Sequence, residues 1–299
     1  MRGQIFTFWR PFVLAAIIGA LVLGTSSCNR NMPNGGVPIY LQIDSAKVVL
    51  PPGSPMGSAS SSIPGTWVTT GSQNLGPYEM PIDIPVLASG SVPLAISAGI
   101  YDNGIVNSPV EYPFYAPDTL TITNAIPGRV YHIKPVYSYY TYVQPALIEN
   151  FDADNAFSNV TPVTNRADSD VFEGLRSGGI ILSPSVDSLT ATQIQPVVIT
   201  TLANQAYLEL NYKLPNANVL LDVGVIASLY SNGQVTQTTT YDKVVLTAPV
   251  GVWNKVYIDF NAEVGGNPNY SFQLYFTGYH QPYGPQDTVF LDNIKLLYH

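Results

Sequence analysis

From Val37 to the end of the chain, apolar residues recur at every second position in short runs, and each run stops at a turn of Gly, Pro or Asn. That period is what a pleated strand with one buried face requires. No segment of useful length repeats its apolar residues at a helical period, so helices are not available to build the core. Sheets must pack on sheets, and an all-β fold is the expectation. The 20 tyrosines, 25 prolines and 24 glycines fit it, because they suit strands joined by tight turns.

Upstream lies a segment of another kind. Arg2 and Arg10 form a basic region before Phe12–Leu23, an apolar run of signal-peptide length, too short and wrongly flanked for a spanning helix. Gly24-Thr25-Ser26-Ser27-Cys28 follows, with small residues leading to a cysteine. This stretch resembles a bacterial lipobox, with Thr25 where Leu is commoner. The resemblance implies a lipoprotein signal peptide, residues 1–27, and lipidation of Cys28. Cys28 is the only cysteine, so no intrachain disulfide, thiolate metal cluster or redox pair can form. Lipid on its sulfur accounts for an otherwise odd thiol in an exported chain, and each buried methylene of the lipid contributes about 0.8 kcal/mol of anchoring.

Asn29 to Gly36 has no apolar periodicity and reads, with Cys28, as a flexible tether over 28–36. Asn29-Arg30-Asn31 lacks the Asp associated by resemblance with inner-membrane retention and the acidic cluster associated with surface export. The expected location is therefore the outer membrane, lipid-anchored, with the periplasmic or surface leaflet undecided. Removing residues 1–27 takes away Arg2 and Arg10, so 12 basic against 20 acidic residues become 10 against 20, a net charge near −10. Such a chain repels phosphate backbones, which excludes nucleic acid as a partner.

The remaining length suits two domains, placed at 37–145 and 146–299. In the first, Ile39, Leu41 and Ile43 alternate with polar neighbours, and Lys47–Leu50 continues the sheet. Pro51 to Gly65, rich in Pro, Gly and Ser, reads as an exposed loop. Short strands then follow around Trp67, Leu75, Val92–Tyr101, Leu120 and Arg129–Val143, with turns at Gly71, Asp102-Asn103-Gly104 and Pro127-Gly128. An immunoglobulin-like or related β-sandwich is expected. The succession Leu75-Gly76-Pro77-Tyr78-Glu79-Met80-Pro81, Pro85-Val86-Leu87, Gly99-Ile100, Asn103-Gly104 and Tyr112-Pro113-Phe114-Tyr115 resembles the N-terminal module of envelope lipoproteins common in the phylum Bacteroidota. That resemblance implies no activity. Tyr131 to Tyr142 is the most aromatic stretch, and half-buried packing explains it better than a glycan platform, with Pro135 marking an edge or bend.

Ile148-Glu149-Asn150-Phe151-Asp152, paired with Val289-Phe290-Leu291-Asp292-Asn293-Ile294-Lys295-Leu296, is similar to the opening and closing strands of galactose-binding-like jelly rolls, including many carbohydrate-binding modules. The resemblance implies a jelly roll in the C-terminal domain. It also implies a structural calcium joining first and last strands, with Asp292 and Glu149 or Asp152 as ligands; hard carboxylate oxygens are what calcium takes. A turn or sheet-edge role fits the same acids.

Alternation sorts this domain's side chains. If Leu208, Leu210, Val256, Ile258, Phe260, Phe272, Leu274 and Phe276 face the core, then Tyr207, Glu209, Asn211, Tyr257, Asp259, Gln273 and Tyr275 face outward. Flat aromatic area beside carboxylates and amides is the chemistry that recognises sugars, although a solvated sheet face has the same composition. Tyr279 and Tyr283, with His280 in the turn-rich stretch 276–286, are candidate loop contacts to ligand. Trp253 reads as packing where a strand begins. Catalysis finds no centre: His132, His280 and His299 lack metal-binding spacing, no Gly-x-Ser-x-Gly elbow exists, and the acids form no motif. The expectation is a non-catalytic envelope lipoprotein that binds polysaccharide through its C-terminal jelly roll, or else a structural or adaptor lipoprotein of an envelope protein assembly.

Overall fold

A computed structural model describes residues 36–71, 73–106, 109–164, 169–199, 205–247, 249–264, 270–280 and 285–299. The lipidation candidate Cys28 and the loop candidate Tyr283 lie outside the described residues. The fold is all-β. In the N-terminal half the strands are β1 (Ile39–Ile43), β2 (Lys47–Val48), β3 (Gly65–Thr70), β4 (Gln73–Glu79), β5 (Ile82–Val86), β6 (Gly90–Ile100), β7 (Val110–Glu111), β8 (Tyr115–Ala116), β9 (Asp118–Ala125), β10 (Val130–Ile133) and β11 (Val136–Tyr139). The C-terminal half continues with β12 (Gln144–Glu149), β13 (Thr161–Val163), β14 (Ser177–Leu182), β15 (Ser188–Thr192), β16 (Val197–Val198), β17 (Ala206–Lys213) and β18 (Val219–Ser231). It closes with β19 (Gln234–Leu246), β20 (Asn254–Asp259), the short helix α1 (Asn261–Val264), β21 (Tyr270–His280) and β22 (Asp287–Tyr298).

The N-terminal sandwich faces a sheet ordered β10-β1-β5 against one ordered β4-β3-β6-β7, to which β9 adds through β6. Ile39, Leu41 and Ile43 of β1 meet Val68, Leu94 and Ile96 in one core, as their alternation requires. Two expectations need correction here. Lys47 and Val48 do not continue the sheet of β1; β2 pairs with β11 in a separate small sheet. The Tyr-rich run 129–143 is likewise not one strand, because Pro135 separates β10, which runs parallel to β1, from β11.

The C-terminal sandwich is a double-sheet jelly roll. One sheet is ordered β13-β14-β22-β17-β20 with β12 on β22, and the other β15-β21-β18-β19 with β16 on β21. Between them lies the largest core, which includes Leu208, Leu210, Val256, Ile258, Phe260, Phe272, Leu274 and Phe276. Period two therefore assigned the inward face of this half. It did not single out β14: Asp168 to Gly179 reads as loop or a strand edge, and Ser177–Leu182 runs as a strand beside β22. Gly178 there lies against Phe151, and a Cβ would overlap that ring.

A third apolar cluster joins the halves. Val48, Met56, Ile100, Tyr112, Phe114, Tyr115 and Tyr137 from the first sandwich pack on Tyr207, Tyr257 and Leu297 from the second. The stretch 51–65, expected as an exposed loop, runs into this seam and buries Met56 and Ser58.

Candidate functional site

The outward residues expected to form one binding surface fall on two different sheets, and these form opposite layers of the jelly roll. Tyr207, Glu209 and Asn211 on β17 pair across to Asp259, Tyr257 and Lys255 on β20. Their side chains leave their own core as alternation requires, but the N-terminal sandwich covers them. Glu209 is 0 % and Tyr257 1 % exposed, while Tyr207 and Asn211 are also buried and Asp259 is half-buried. As an open sugar-binding face this set is overturned: pointing away from one core placed it in a second.

What the covering brings is a charged network. Glu209 Oε1 accepts the phenol hydrogens of Tyr112 at 2.9 Å and Tyr139 at 2.7 Å. Its Oε2 lies 3.1 Å from Lys255 Nζ and 3.5 Å from Lys295 Nζ. Lys295 also donates to Ser58 O at 2.6 Å and to Tyr139 Oη at 2.9 Å. Burial pushes the Glu209 carboxyl up, but the two ammonium groups and two phenols outweigh it and hold its pKa at about 2. For Lys255 burial wins over the attraction of Glu209, and its pKa falls to about 8.

The same seam leaves one edge partly open. β20 ends its sheet, and the turn after β6 caps part of its free edge: Asn103 N donates to Tyr257 O at 2.8 Å, and Asp259 N donates to Asn103 Oδ1 at 3.1 Å. Asn103 adopts φ 54°, a left-handed conformation that Asn tolerates. Below that cap a cleft of about 700 Å³ opens between the sandwiches, lined among others by Tyr101, Phe172, Asn211, Trp253, Asn254 and Lys255. Trp253, expected only to pack, stands at its wall. Its indole N–H donates to Ser169 O at 2.7 Å, and its ring meets Phe172 edge-on at 5.5 Å. Ser60 Oγ donates to Asn211 Oδ1 at 2.8 Å, and Ser62 N donates to Tyr257 Oη at 3.1 Å, fixing the opposite rim. The serines of 58–62 belong to the stretch expected as an exposed loop; only their distant partners distinguish them from one.

On the other sheet, Gln273 and Tyr275 of β21 share the outer face, as expected; Tyr279, expected in a loop, lies instead on that same face of β21. Two are already engaged: Gln273 Nε2 donates to Gln193 O at 2.7 Å, and the Tyr275 hydroxyl donates to Asp242. Tyr275 is buried, its ring lying over Gly224, and Tyr279 is half-buried. His280, in the same stretch, is held by Asp287 at 3.0 Å.

The calcium set is not assembled. Glu149 Oε1 and Oε2 accept from Phe151 N and Ala156 N, both at 2.6 Å. Those bonds hold Phe151 in a left-handed conformation, φ 59°. Asp152 Oδ1 accepts from Leu175 N and Arg176 N, while Asp292 Oδ2 accepts from Ser177 Oγ at 2.7 Å and Glu173 N at 3.2 Å. The carboxylates are spent on backbone N–H groups of 151–156 and 173–176 and on the Ser177 hydroxyl. Among the described residues no three His, Cys, Asp or Glu side chains gather as a metal ion would need. Burial lifts Asp292 to about 6, against the hydrogen bonds of Ser177 and Glu173.

No family model matches the chain, and no curated protein matches it. Among solved structures, one described as a carbohydrate-binding module of the β-sandwich superfamily with promiscuous specificity is 14% identical, with a TM-score of 0.35, covering 79% of this chain and 85% of that one. The second xylan-binding domain of Paenibacillus barcinonensis Xyn10C is 10% identical, with a TM-score of 0.37, over 52% and 99% of the two chains. The Clostridium thermocellum xylanase 10B in complex with xylohexaose is 11% identical, with a TM-score of 0.37, over 51% of this chain and 28% of that one.

Proposed function

We propose that this chain is a lipid-anchored, non-catalytic lipoprotein of the outer membrane, with units 37–145 and 146–299, that binds polysaccharide in the cleft between its two sandwiches. The anchor reading is supported by the apolar run before the lone Cys28. The single observation that carries the binding reading is the wall of the cleft, where Trp253 and Phe172 stand beside the amides of Asn211 and Asn254. Aromatic area with a few fixed polar groups is what a bound sugar needs: its C–H faces lie on rings and its hydroxyls find amides. The cleft replaces the sheet face on which the sequence placed the contacts.

The test is binding of the full-length protein to a panel of plant, host and bacterial polysaccharides, repeated with Trp253→Ala. Loss of the ring is expected to weaken binding by about tenfold or more, roughly 1.4 kcal/mol. Absence of binding to every polysaccharide, or an alanine variant that binds as well as the parent, would sink the reading. The adaptor alternative draws on Ile105 and Val106, more than half exposed beside the rim; crosslinking in cells that recovers a stoichiometric protein partner while the polysaccharide panel stays negative favours it.

A further inference from the structure

The chemical class of the cleft's ligand follows from which ends of its amides the protein already holds; this step rests on the glycan reading above. Asn211 Oδ1 is occupied by the Ser60 hydroxyl and Asn103 Oδ1 by Asp259 N. An amide is both donor and acceptor, but with its oxygen committed inside the protein it has chiefly N–H groups left to offer. Neither Nδ2 bonds to another described residue. Asn211 is only 2 % exposed and lines the cleft, so its remaining hydrogens find a partner there or none. Asn254 is fixed the opposite way: its Nδ2 donates to Val252 O at 2.8 Å, leaving Oδ1 as an acceptor.

Charge points in the same direction. Acids outnumber bases 20 to 12 in the chain, yet among the described residues no carboxylate lines the cleft and Lys255 is the one charged lining residue. The Lys255 side chain is 4 % exposed and paired with Glu209, so it acts on a ligand through the field at the cleft floor and not by contact. The described lining therefore offers two oriented amide donors, one oriented acceptor and no negative charge. A ring hydroxyl satisfies either kind of amide and is not discriminated. An sp2 oxygen on a ring substituent is favoured, because it accepts from two N–H groups and has no proton of its own for which a donor-rich wall must find an acceptor.

We propose that the cleft selects saccharides bearing a carbonyl-type oxygen, as an acetamido or carboxylate group, over unsubstituted neutral ones. Calorimetric titration of the full-length protein with hexa-N-acetylchitohexaose, hexagalacturonate, xylohexaose and cellohexaose reads this directly. One of the first two is expected to bind about tenfold or more tightly than both neutral sugars. Affinity that falls with added salt assigns the carboxylate, and salt-insensitive affinity the acetamido group. Asn211→Asp keeps an oxygen for Ser60 but removes the cleft donor, and is expected to weaken the selected sugar by about tenfold. Asn103→Asp makes the same change at the other amide and serves if the first variant unfolds. Equal affinity for all four sugars, or full affinity in both variants, overturns the selection while leaving the glycan reading in place. Binding to none of the four while other polysaccharides bind also overturns it; no saccharide binding of any kind overturns both.

Discussion

Glu209 is the residue on which the seam turns. A carboxylate without water is costly, and here two ammonium groups and two phenols compensate it. Glu209→Gln keeps an oxygen for Tyr112 and Tyr139 but leaves Lys255 and Lys295 facing an amide. Breaking a buried pair in this way costs about 3–5 kcal/mol, which urea titration at pH 7 would measure. The pH dependence has a sign that identifies the group. Glu209 is held at about 2, below its ordinary 4.5, so its contribution is complete above 4.5 and is lost as pH falls toward 2. Asp102, raised to about 6 by burial and the neighbouring Asp259, and Asp292, raised to about 6 mainly by burial, act oppositely. They favour folding below about 3.8 and lose that contribution as pH rises through 6. Parent stability should therefore rise on acidification from pH 7 to about 4.5 and fall below it. In the Gln variant the first limb stays and the second is smaller by about 3 kcal/mol; an unchanged acid limb would assign it elsewhere. Alternation placed Glu209 correctly, outward from the jelly-roll core. It could not tell water from a second sandwich, because both lie outside the first core.

At the scale of elements, what was legible is what a strand's own sequence carries. β17, β20 and β21 each show one apolar face, and that face is the core. The outer face of β21 depends on a partner that period two does not reveal. Tyr275 lies across Gly224 of β18 because no side chain stands there, and its hydroxyl then reaches Asp242 on β19. Any Cβ at position 224 would overlap the Tyr275 phenol and Tyr241 O. Gly224→Val, though it raises strand propensity, should destabilise by about 2–4 kcal/mol through overpacking and loss of a charge-assisted hydrogen bond. The check is the denaturation midpoint together with near-ultraviolet dichroism of the displaced tyrosine; a neutral or stabilising result would mean that Tyr275 turns aside without cost. β14 and the stretch 51–65 were illegible for a related reason. Their small residues are chosen by what crosses over them, Phe151 above Gly178 and the seam above Ser58, and neither neighbour is near in sequence.

For the whole molecule, the seam is expected to make the two sandwiches one cooperative unit. Tyr112 meets Tyr207 edge-on at 5.3 Å and Tyr257 at 5.0 Å, and such pairs contribute about 0.5–1.5 kcal/mol each beyond their buried area. Asn103 adds backbone bonding across the halves, and Glu209 with its lysines adds groups that only the complete seam compensates. Residues 144–299 hold every strand of the jelly roll, so the isolated fragment keeps its sheets but exposes Tyr207, Tyr257 and Leu297. A surface built to be buried then meets water, and the edge of β20 loses its cap. The full chain is expected to unfold in one calorimetric transition. The fragment should melt about 10 °C or more below it, bind a hydrophobic dye and bind no sugar in the place of the cleft. Two separate transitions in the full chain, with one at the fragment's own midpoint, would show independent sandwiches. The cleft would then be a gap between mobile bodies and not a site with fixed walls, and the orientation of Asn211 and Asn103 would no longer select a ligand.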